Sequence, residues 1–227
     1  MTKYIEFQSL VLHSCKKLVD AGILVATGGN VSTRVLGEDK IAITPSNMDY
    51  LIIQPEDICI LDFDGHQISG SHAPSIEYKF HLEIYKNRLD VGGVVHSHQP
   101  NTSLFSLIDT SIPALFDEQV FHLGESIDVI RYAASGSDEL AQNIVKMLTN
   151  NANAYILENH GVLCMGGTIE EAVMNAMVTE KVAIAYQGAL STVKRITKLP
   201  KQSVKMFANL LKERQEENKS RHISAYK

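Results

Sequence analysis

The sequence predicts a single α/β domain in which helices cover a central sheet that is mixed or mostly antiparallel. Helical and strand-like segments are interleaved along the chain, and neither an internal repeat nor a linker rich in Gly, Ser or Pro divides it. Its 227 residues fit one domain comfortably. We therefore expect one domain over residues 1–227, with a flexible tail from about residue 218.

Composition and charge narrow the class of protein. The net charge of -5 is spread without long runs of one sign, which argues against a nucleic-acid or membrane-surface partner. No apolar run approaches the ~18 residues of a membrane span. Three widely spaced cysteines, Cys15, Cys59 and Cys164, suit a reducing compartment better than a disulfide framework. We expect a cytoplasmic protein with a small-molecule partner.

The first part of the chain predicts one helix and then a β-rich region. Apolar residues at helical spacing run from Ile5 to Ala21 and stop at Gly22, the residue expected just past a helix end. A glycine-bearing loop, LVATGGNVSTR, comes next. The strand KIAIT stops at Pro45, and two further strand-like runs are joined at Asp64-Gly65.

The rest of the chain predicts further helices and strands. A helix is expected from Ser75 to Asn87 with Ser75 as its N-cap, and the strand VGGVVHSH follows it. The later elements, in order, are a short helix over residues 100–108, a strand at SIPALF, a helix at SGSDELAQNIVKML, two strands broken at residues 158–161, a capped helix from 168 towards 190 and a last helix over about 202–217.

Three histidines form a candidate metal site. In the strand ending VVHSHQP, alternation puts His96 and His98 on the same side. His160 precedes Gly161 at a tight turn between two strand-like runs. Sheet rims are the usual location of binding sites, and zinc accepts three imidazoles while keeping one position open. An isolated His-x-His pair is also common without a metal, so the prediction rests on the convergence of all three histidines.

Glu77 is the candidate fourth ligand, because it lies at the start of the helix that precedes the His96/His98 strand. A carboxylate there can associate with a metal and act as a base. The alternative is a charge that complements the helix dipole, worth ~0.3–1 kcal/mol. His81, one helical turn later, is a candidate partner of Glu77, and we expect the remaining histidines to be structural or exposed.

The ordered series ATGGNVSTR, ITPS, APSIEYKFH, VVHSH and ENHGVL resembles the class II aldolase/adducin superfamily over roughly residues 5–190. The resemblance implies a zinc site of His96, His98 and His160, with Glu77 as the metal-associated acid/base. It also implies a phosphate pocket, formed by Asn30, Ser32, Ser46, Asn47 and Ser75. Small hydroxyls and amides on such loops suit phosphate, and Ser75 lies near a helix N-terminus.

The sequence departs from the family pattern at three positions. Ile76 follows Ser75 where many family aldolases have a second serine, and Asn47 stands where a glycine is common. The tyrosine that some members use as a proton donor after the IPA segment has no match in SIPALFDEQ. The remaining candidates for a second acid are Asp117, Glu118 and Tyr226.

The resemblance implies a zinc-dependent aldolase that cleaves a ketose phosphate, similar to fuculose 1-phosphate, into dihydroxyacetone phosphate and an aldehyde. Zinc would stabilise the enediolate that develops on cleavage. The alternatives are a pentulose-5-phosphate 4-epimerase, a sugar-phosphate dehydratase and a non-catalytic adducin-like scaffold. The resemblance also implies a homotetramer whose active sites lie at subunit interfaces.

Overall fold

The computed structural model describes residues 3–226, which form one α/β domain around a nine-stranded mixed sheet. The strand order is β4-β3-β2-β1-β5-β9-β8-β7-β6, and all neighbours are antiparallel except the parallel pair β7 and β8. The expected fold class is confirmed. The strands are β1 (Asn30–Arg34), β2 (Lys40–Ile43), β3 (Cys59–Asp62), β4 (Gln67–Ser69), β5 (Gly93–Ser97), β6 (Ile112–Pro113), β7 (Ser126–Ile130), β8 (Ala154–Leu157) and β9 (Gly161–Gly166).

Seven α-helices accompany the sheet in the described residues. They are α1 (Ile5–Asp20), α2 (Tyr78–Asn87), α3 (Pro100–Leu107), α4 (Asp117–Leu123), α5 (Asp138–Met147), α6 (Ile169–Leu190) and α7 (Lys201–Ser224). Thr168 caps α6 by accepting from the backbone N–H of Glu171, as its sequence indicates. None of the helices in this part of the chain combines the length and apolar character needed to cross a membrane.

The sheet is covered on both faces, and each face has its own hydrophobic core. Along β5, Val95 packs in the cluster that contains α1 and α6 residues, whereas Val94 packs in the cluster that contains α2 and α5 residues. Every residue of β5 and β9 is buried. Continuous burial is typical of a strand with helices on both faces. Because side chains alternate along a strand, those of β5 face α6 and α2 in turn.

Three parts of the chain differ from the sequence expectation. Residues 30–34, expected in a loop, form β1, because their polar side chains find buried partners and need no apolar alternation. Only Ile112–Pro113 of the expected SIPALF strand is extended. The elements α4 and β7, over residues 117–130, were not expected, since each is too short to give a clear periodic signal.

The C-terminal segment continues α7 where a flexible tail was expected from about residue 218. His222 is buried, and its ring nitrogens lie 2.8 Å from Leu89 O and 3.2 Å from Gly167 O. Arg221 donates to Gly167 O at 2.9 Å. Polar contacts to loop carbonyls therefore fix this end of α7, and such contacts leave no hydrophobic period in the sequence.

Candidate metal centre and active site

The candidate site lies at one end of the three adjacent central strands β1, β5 and β9. Asn30, the first residue of β1, pairs with His96 near the end of β5. Ser97 of β5 pairs with Val162 near the start of β9. The end of β5 therefore lies beside the beginning of β9. This pairing brings His160, just before β9, next to the His96/His98 pair, although His160 comes 62 positions after His98 in the sequence.

The three histidines converge on one point. Their candidate ligand atoms all lie within 4.8 Å of one another, and the Nε2 atoms of His96 and His98 are 3.1 Å apart. Ser97, between them, faces the other side of the sheet, where its hydroxyl donates to Gln99 Oε1. The expected strand alternation therefore holds at this point, and it aims both imidazoles at the same space.

A glycine next to His160 allows this close packing. A Cβ on Gly161 would lie 2.5 Å from Ser97 O, 2.7 Å from His98 Cδ2 and 3.2 Å from His96 Cε1. Gly29, with φ +80°, approaches the backbone of β5 in the same way, at 2.5 Å from His96 O. Backbone on both sides of the histidine pair thus lies closer than any side chain permits.

We expect Gly161→Ala to lower the stability of the fold by about 1–3 kcal/mol, because the new methyl group displaces β9 or His98. Metal retention should fall with it. Gly188→Ala is the control, since nothing lies within 4 Å of its Cβ and the helical position favours alanine by roughly 0.5–1 kcal/mol. Thermal unfolding and elemental analysis measure both effects, and equal behaviour of the two variants contradicts the packing argument.

Glu77 completes the cluster from the α2 side. Its Oε2 lies 3.2 Å from His96 Nε2, and its Oε1 lies 3.3 Å from His160 Nε2. Oε2 accepts from Asn30 Nδ2 at 2.7 Å, and Oε1 accepts from the hydroxyl of Ser135 at 2.6 Å. Glu77 is the N-cap residue of α2, one position before the expected first turn, with Ser75 in the turn that precedes it.

The electrostatic setting keeps Glu77 ionised. Burial raises the pKa of its carboxyl, but the imidazole of His96 and the hydrogen bonds from Ser135 and Asn30 outweigh burial and lower the pKa to about 2. Burial lowers the pKa of His96 to about 4, despite the opposing effect of Glu77. At neutral pH the pair therefore consists of a carboxylate and a neutral imidazole.

The cluster of His96, His98, His160 and Glu77, called the histidine–glutamate cluster below, fits a divalent metal ion. His96 Nδ1 lies 2.9 Å from Val162 O and donates to it, so the facing Nε2 carries a lone pair. That lone pair lies 3.2 Å from a carboxylate oxygen of Glu77, and a cation between the two atoms would satisfy both acceptors. Three imidazoles and a carboxylate are a ligand set of zinc sites.

The five residues expected to bind phosphate divide into two groups. Ser46, Asn47 and Ser75 lie together, because Pro45 pairs with Pro74 in an isolated bridge and Ser75 N donates to Thr44 O. Asn47 adopts a φ of +55°, the left-handed turn that an asparagine tolerates. Its Oδ1 accepts from Thr27 of the glycine loop at 3.1 Å.

Asn30 and Ser32 form the second group, and their side chains have partners inside the protein. Both are buried. Asn30 bonds Glu77 and His81, and the Ser32 hydroxyl lies 2.7 Å from His81 Nδ1 and 2.9 Å from the Tyr85 hydroxyl. The polar atoms of both side chains therefore already have partners inside the protein. His81 reaches Glu77 through Asn30.

The candidate second acids lie elsewhere on the chain. Asp117 and Glu118 are exposed in the first turn of α4, where Glu118 pairs with Lys181 at 2.5 Å. The Tyr226 hydroxyl donates to Glu38 O and Asp39 Oδ1 in the turn that follows β1. That turn and Asn30 are at opposite ends of β1, a separation of roughly 13 Å along the strand. No hydrogen bond or ion pair of the described residues joins the three to the histidine–glutamate cluster.

Two contributors to the site were missed by sequence reasoning. Ser135 bonds Glu77 from a loop 58 residues away. Glu180 of α6 is buried and accepts from the backbone N–H groups and side chains of Asn101 and Thr102, so it caps α3 directly after His98. Neither residue belongs to a local motif, and only the fold brings them to these partners.

Comparison with known proteins agrees with this geometry. Residues 9–186 match the family described as Class II Aldolase and Adducin N-terminal domain. An L-fuculose phosphate aldolase of Methanococcus maripaludis is 35% identical over 169 residues, which are 74% of this chain and 89% of that protein. A 5-deoxy-D-ribulose 1-phosphate aldolase of Bacillus thuringiensis is 30% identical over 171 residues, or 75% of this chain and 79% of that protein.

The solved structures lead to the same family. The structure of an L-fuculose 1-phosphate aldolase has a TM-score of 0.86 and 27% identity, and the match covers 93% of this chain and 98% of that one. The chain therefore belongs to the class II aldolase and adducin family. It is an enzyme of the aldolase class, a group of lyases that in this family depends on a metal ion.

Proposed function

We propose that this enzyme is a zinc-dependent aldolase that cleaves a small ketose 1-phosphate, such as fuculose 1-phosphate, into dihydroxyacetone phosphate and an aldehyde. The observation that carries the proposal is the ionised Glu77 held against three convergent histidines at the sheet edge. The relatives named for L-fuculose phosphate and 5-deoxy-D-ribulose 1-phosphate support the substrate class. The three free cysteines are buried and suit the reducing cytoplasm, where we expect the enzyme to work.

His96, His98 and His160 would hold the zinc ion, with Glu77 as an associated ligand. When bound, zinc supplies the electron withdrawal that breaking a carbon–carbon bond next to a carbonyl requires. The hydrogen bonds from Asn30 and Ser135 stabilise the charged form of Glu77, so this buried side chain stays a carboxylate. The protein therefore provides both a cation site and a proton acceptor within one small volume.

Glu77 moves the proton at the carbon next to the substrate carbonyl. In the direction of bond formation its carboxylate removes that proton. In the direction of cleavage the carboxylate first takes up a proton from solvent, and the carboxyl group so formed delivers it to that carbon. A second group takes the hydroxyl proton of the substrate as the carbon–carbon bond breaks, so the reaction has no net proton change. The Ser135 and Asn30 donors orient the Glu77 carboxylate for both directions.

The substrate phosphate would bind at the loops that carry Ser46, Asn47 and Ser75. These loops are joined to each other and to the glycine loop, and they reach the same edge of the sheet as Glu77. Small hydroxyls, an amide and backbone N–H groups are the donors that phosphate oxygens prefer. Asn30 and Ser32 would stabilise the protein next to this pocket, since Asn30 is hydrogen-bonded to Glu77 and both side chains are hydrogen-bonded to His81.

A screen of ketose 1-phosphates and pentulose 5-phosphates, with coupled detection of triose phosphate and aldehyde, tests this function. We expect triose phosphate and aldehyde to form in equal amounts from at least one ketose 1-phosphate. A change of configuration at C4 without cleavage would identify an epimerase, and loss of water would identify a dehydratase. Either result, without triose phosphate, contradicts the proposal.

We also propose a homotetramer in which a neighbouring chain supplies the second acid. Loops around the site expose large apolar side chains, a feature of surfaces that bind another protein; these are Val25, Leu51, Ile52, Ile76 and Tyr132. Asp117, Glu118 and Tyr226 are the candidate donors, because within one chain none of them bonds the histidine–glutamate cluster.

Mixing of inactive chains tests the shared site. Glu77→Gln chains and Asp117→Asn/Glu118→Gln chains, each inactive alone, are expected to regain part of the activity after they are mixed under conditions that exchange subunits. Mixed sites then combine an intact Glu77 with an intact donor from the neighbour. Tyr226→Phe chains, mixed in the same way, separate the two candidate sources. Light scattering measures the assembly, and a fully active monomer contradicts this arrangement.

A further inference from the structure

A line of buried, hydrogen-bonded side chains runs from Glu77 through Asn30, His81 and Ser32 to Tyr85. Glu77 Oε2 bonds Asn30 Nδ2 at 2.7 Å, and Asn30 Oδ1 lies 2.5 Å from His81 Nε2. His81 Nδ1 lies 2.7 Å from Ser32 Oγ, which is 2.9 Å from the hydroxyl of Tyr85. The line crosses from the catalytic carboxylate into the core between β1 and α2.

The chemistry of these groups permits only one direction of donation. Glu77 is a carboxylate and accepts, so the amide of Asn30 must donate from Nδ2 and accept at Oδ1. The proton that Oδ1 accepts must come from His81 Nε2–H. His81 Nδ1 is then bare and accepts from Ser32, whose single proton is used, so the Tyr85 hydroxyl donates to Ser32. Every bond in the line therefore donates towards Glu77.

The surroundings of His81 hold it in this state. Its side chain is fully buried and stacks on Phe80 with ring centroids 4.7 Å apart. Burial lowers the pKa of His81 to about 3, so the ring stays neutral and keeps one donor and one acceptor. Ser32 and Tyr85 are also fully buried, and the protein groups alone can supply these hydrogen bonds.

We propose that His81 is a positioning residue, which fixes the amide of Asn30 so that Asn30 always presents its N–H to Glu77. An asparagine amide can turn over and present its oxygen, and an oxygen facing the carboxylate would push Glu77 away from its place beside the histidines. The His81 N–H stabilises one of the two amide orientations. The inference rests on the proposed role of Glu77 and deepens it.

The test compares His81→Phe with His81→Gln. Phe keeps the ring volume but removes the donor to Asn30, whereas Gln keeps an N–H near the Nε2 position. We expect His81→Phe to lower kcat by roughly 10- to 100-fold with KM within about twofold, and His81→Gln to recover most of the loss. Metal content should stay near that of the unsubstituted enzyme, because the four residues of the histidine–glutamate cluster are unchanged.

His222→Phe is the matched control, since it also removes a buried histidine with hydrogen bonds to protein groups, here backbone carbonyls. We expect it to lower the melting temperature and leave kcat unchanged. If His81→Phe does not fold, Ser32→Ala replaces it and should lower kcat severalfold by freeing His81 to change tautomer.

Normal kcat in folded His81→Phe overturns the positioning role alone. A loss of kcat that His81→Gln does not recover also overturns it, because the effect then comes from packing. Failure of the unsubstituted enzyme to cleave any ketose phosphate is a different result, and it overturns the proposed function itself.

Discussion

Glu77→Gln is expected to fold, to keep most of its metal and to lose kcat by roughly 10²- to 10⁴-fold, the range for removal of a general acid or base. The amide cannot take the proton that the carboxylate takes. A glutamine also accepts at only one of its two terminal atoms, because the other is an NH2 group that donates. That NH2 group would then face either the Ser135 hydroxyl or the Asn30 amide, which both donate to the carboxylate of Glu77. KM should change less than kcat, since the role proposed for Glu77 is proton transfer at the reacting carbon.

Glu171→Gln is the matched control for this result. Glu171 also lies at the start of a helix, where its carboxylate accepts from the backbone N–H of Gly167 at 2.8 Å. If Glu77 were only a charge at the start of α2, both variants would lose a little stability, ~0.3–1 kcal/mol, and none of the activity. Steady-state kinetics and thermal unfolding separate the two cases. Near-normal kcat for folded Glu77→Gln would show that Glu77 only stabilises the start of α2 and does not transfer a proton.

Strand alternation is the reason that part of this site could be predicted from the sequence. Side chains two apart on a strand share a face whatever the fold around them, so His96 and His98 had to point together. The approach of His160 required one more fact, the antiparallel pairing of β5 and β9, which places Ser97 opposite Val162. The glycine after His160 indicated the turn, and it also permits the close pairing.

The partners of these residues could not be predicted, because hydrogen bonds between distant segments leave no local pattern. Ser135 and Glu77 are 58 residues apart, and the Glu180 carboxylate reaches Thr102 across 78 residues. The internal partners of Asn30 and Ser32 were equally hidden from the sequence. Their residue types on a glycine-rich loop indicate phosphate ligands, and that stays a prediction. Nothing local in the sequence indicated their burial or their contacts with His81.

The missed secondary structure has the same physical origin. Sequence periodicity detects elements that bury an apolar face, but β1 buries polar side chains that satisfy one another and the end of α7 is fixed by bonds to loop carbonyls. Such elements are stabilised by polar contacts whose partners only the complete fold supplies. In β1 these polar contacts include the hydrogen bond from Asn30 to the Glu77 carboxylate, so the least predictable strand contributes directly to the candidate site.

Loss of the metal should be the largest effect of any substitution at the site. We expect the purified enzyme to contain about one zinc or other divalent ion per chain, and His96→Ala/His98→Ala to contain none, because two of the three convergent imidazoles are gone. Activity should fall to background. The exposed pair His13→Ala/His72→Ala is the control and should keep both metal and activity.

A chelator separates loss of the metal from loss of the fold. A metal that binds only the folded protein raises its apparent stability, by about 2.7 kcal/mol at 100 times the dissociation constant. A chelator should therefore lower the melting temperature of the unsubstituted enzyme and leave that of His96→Ala/His98→Ala unchanged. Readdition of zinc should restore the unsubstituted enzyme alone. A folded double variant that still holds a full equivalent of metal contradicts the site, because Glu77 and His160 by themselves provide too few ligands for a tightly bound ion.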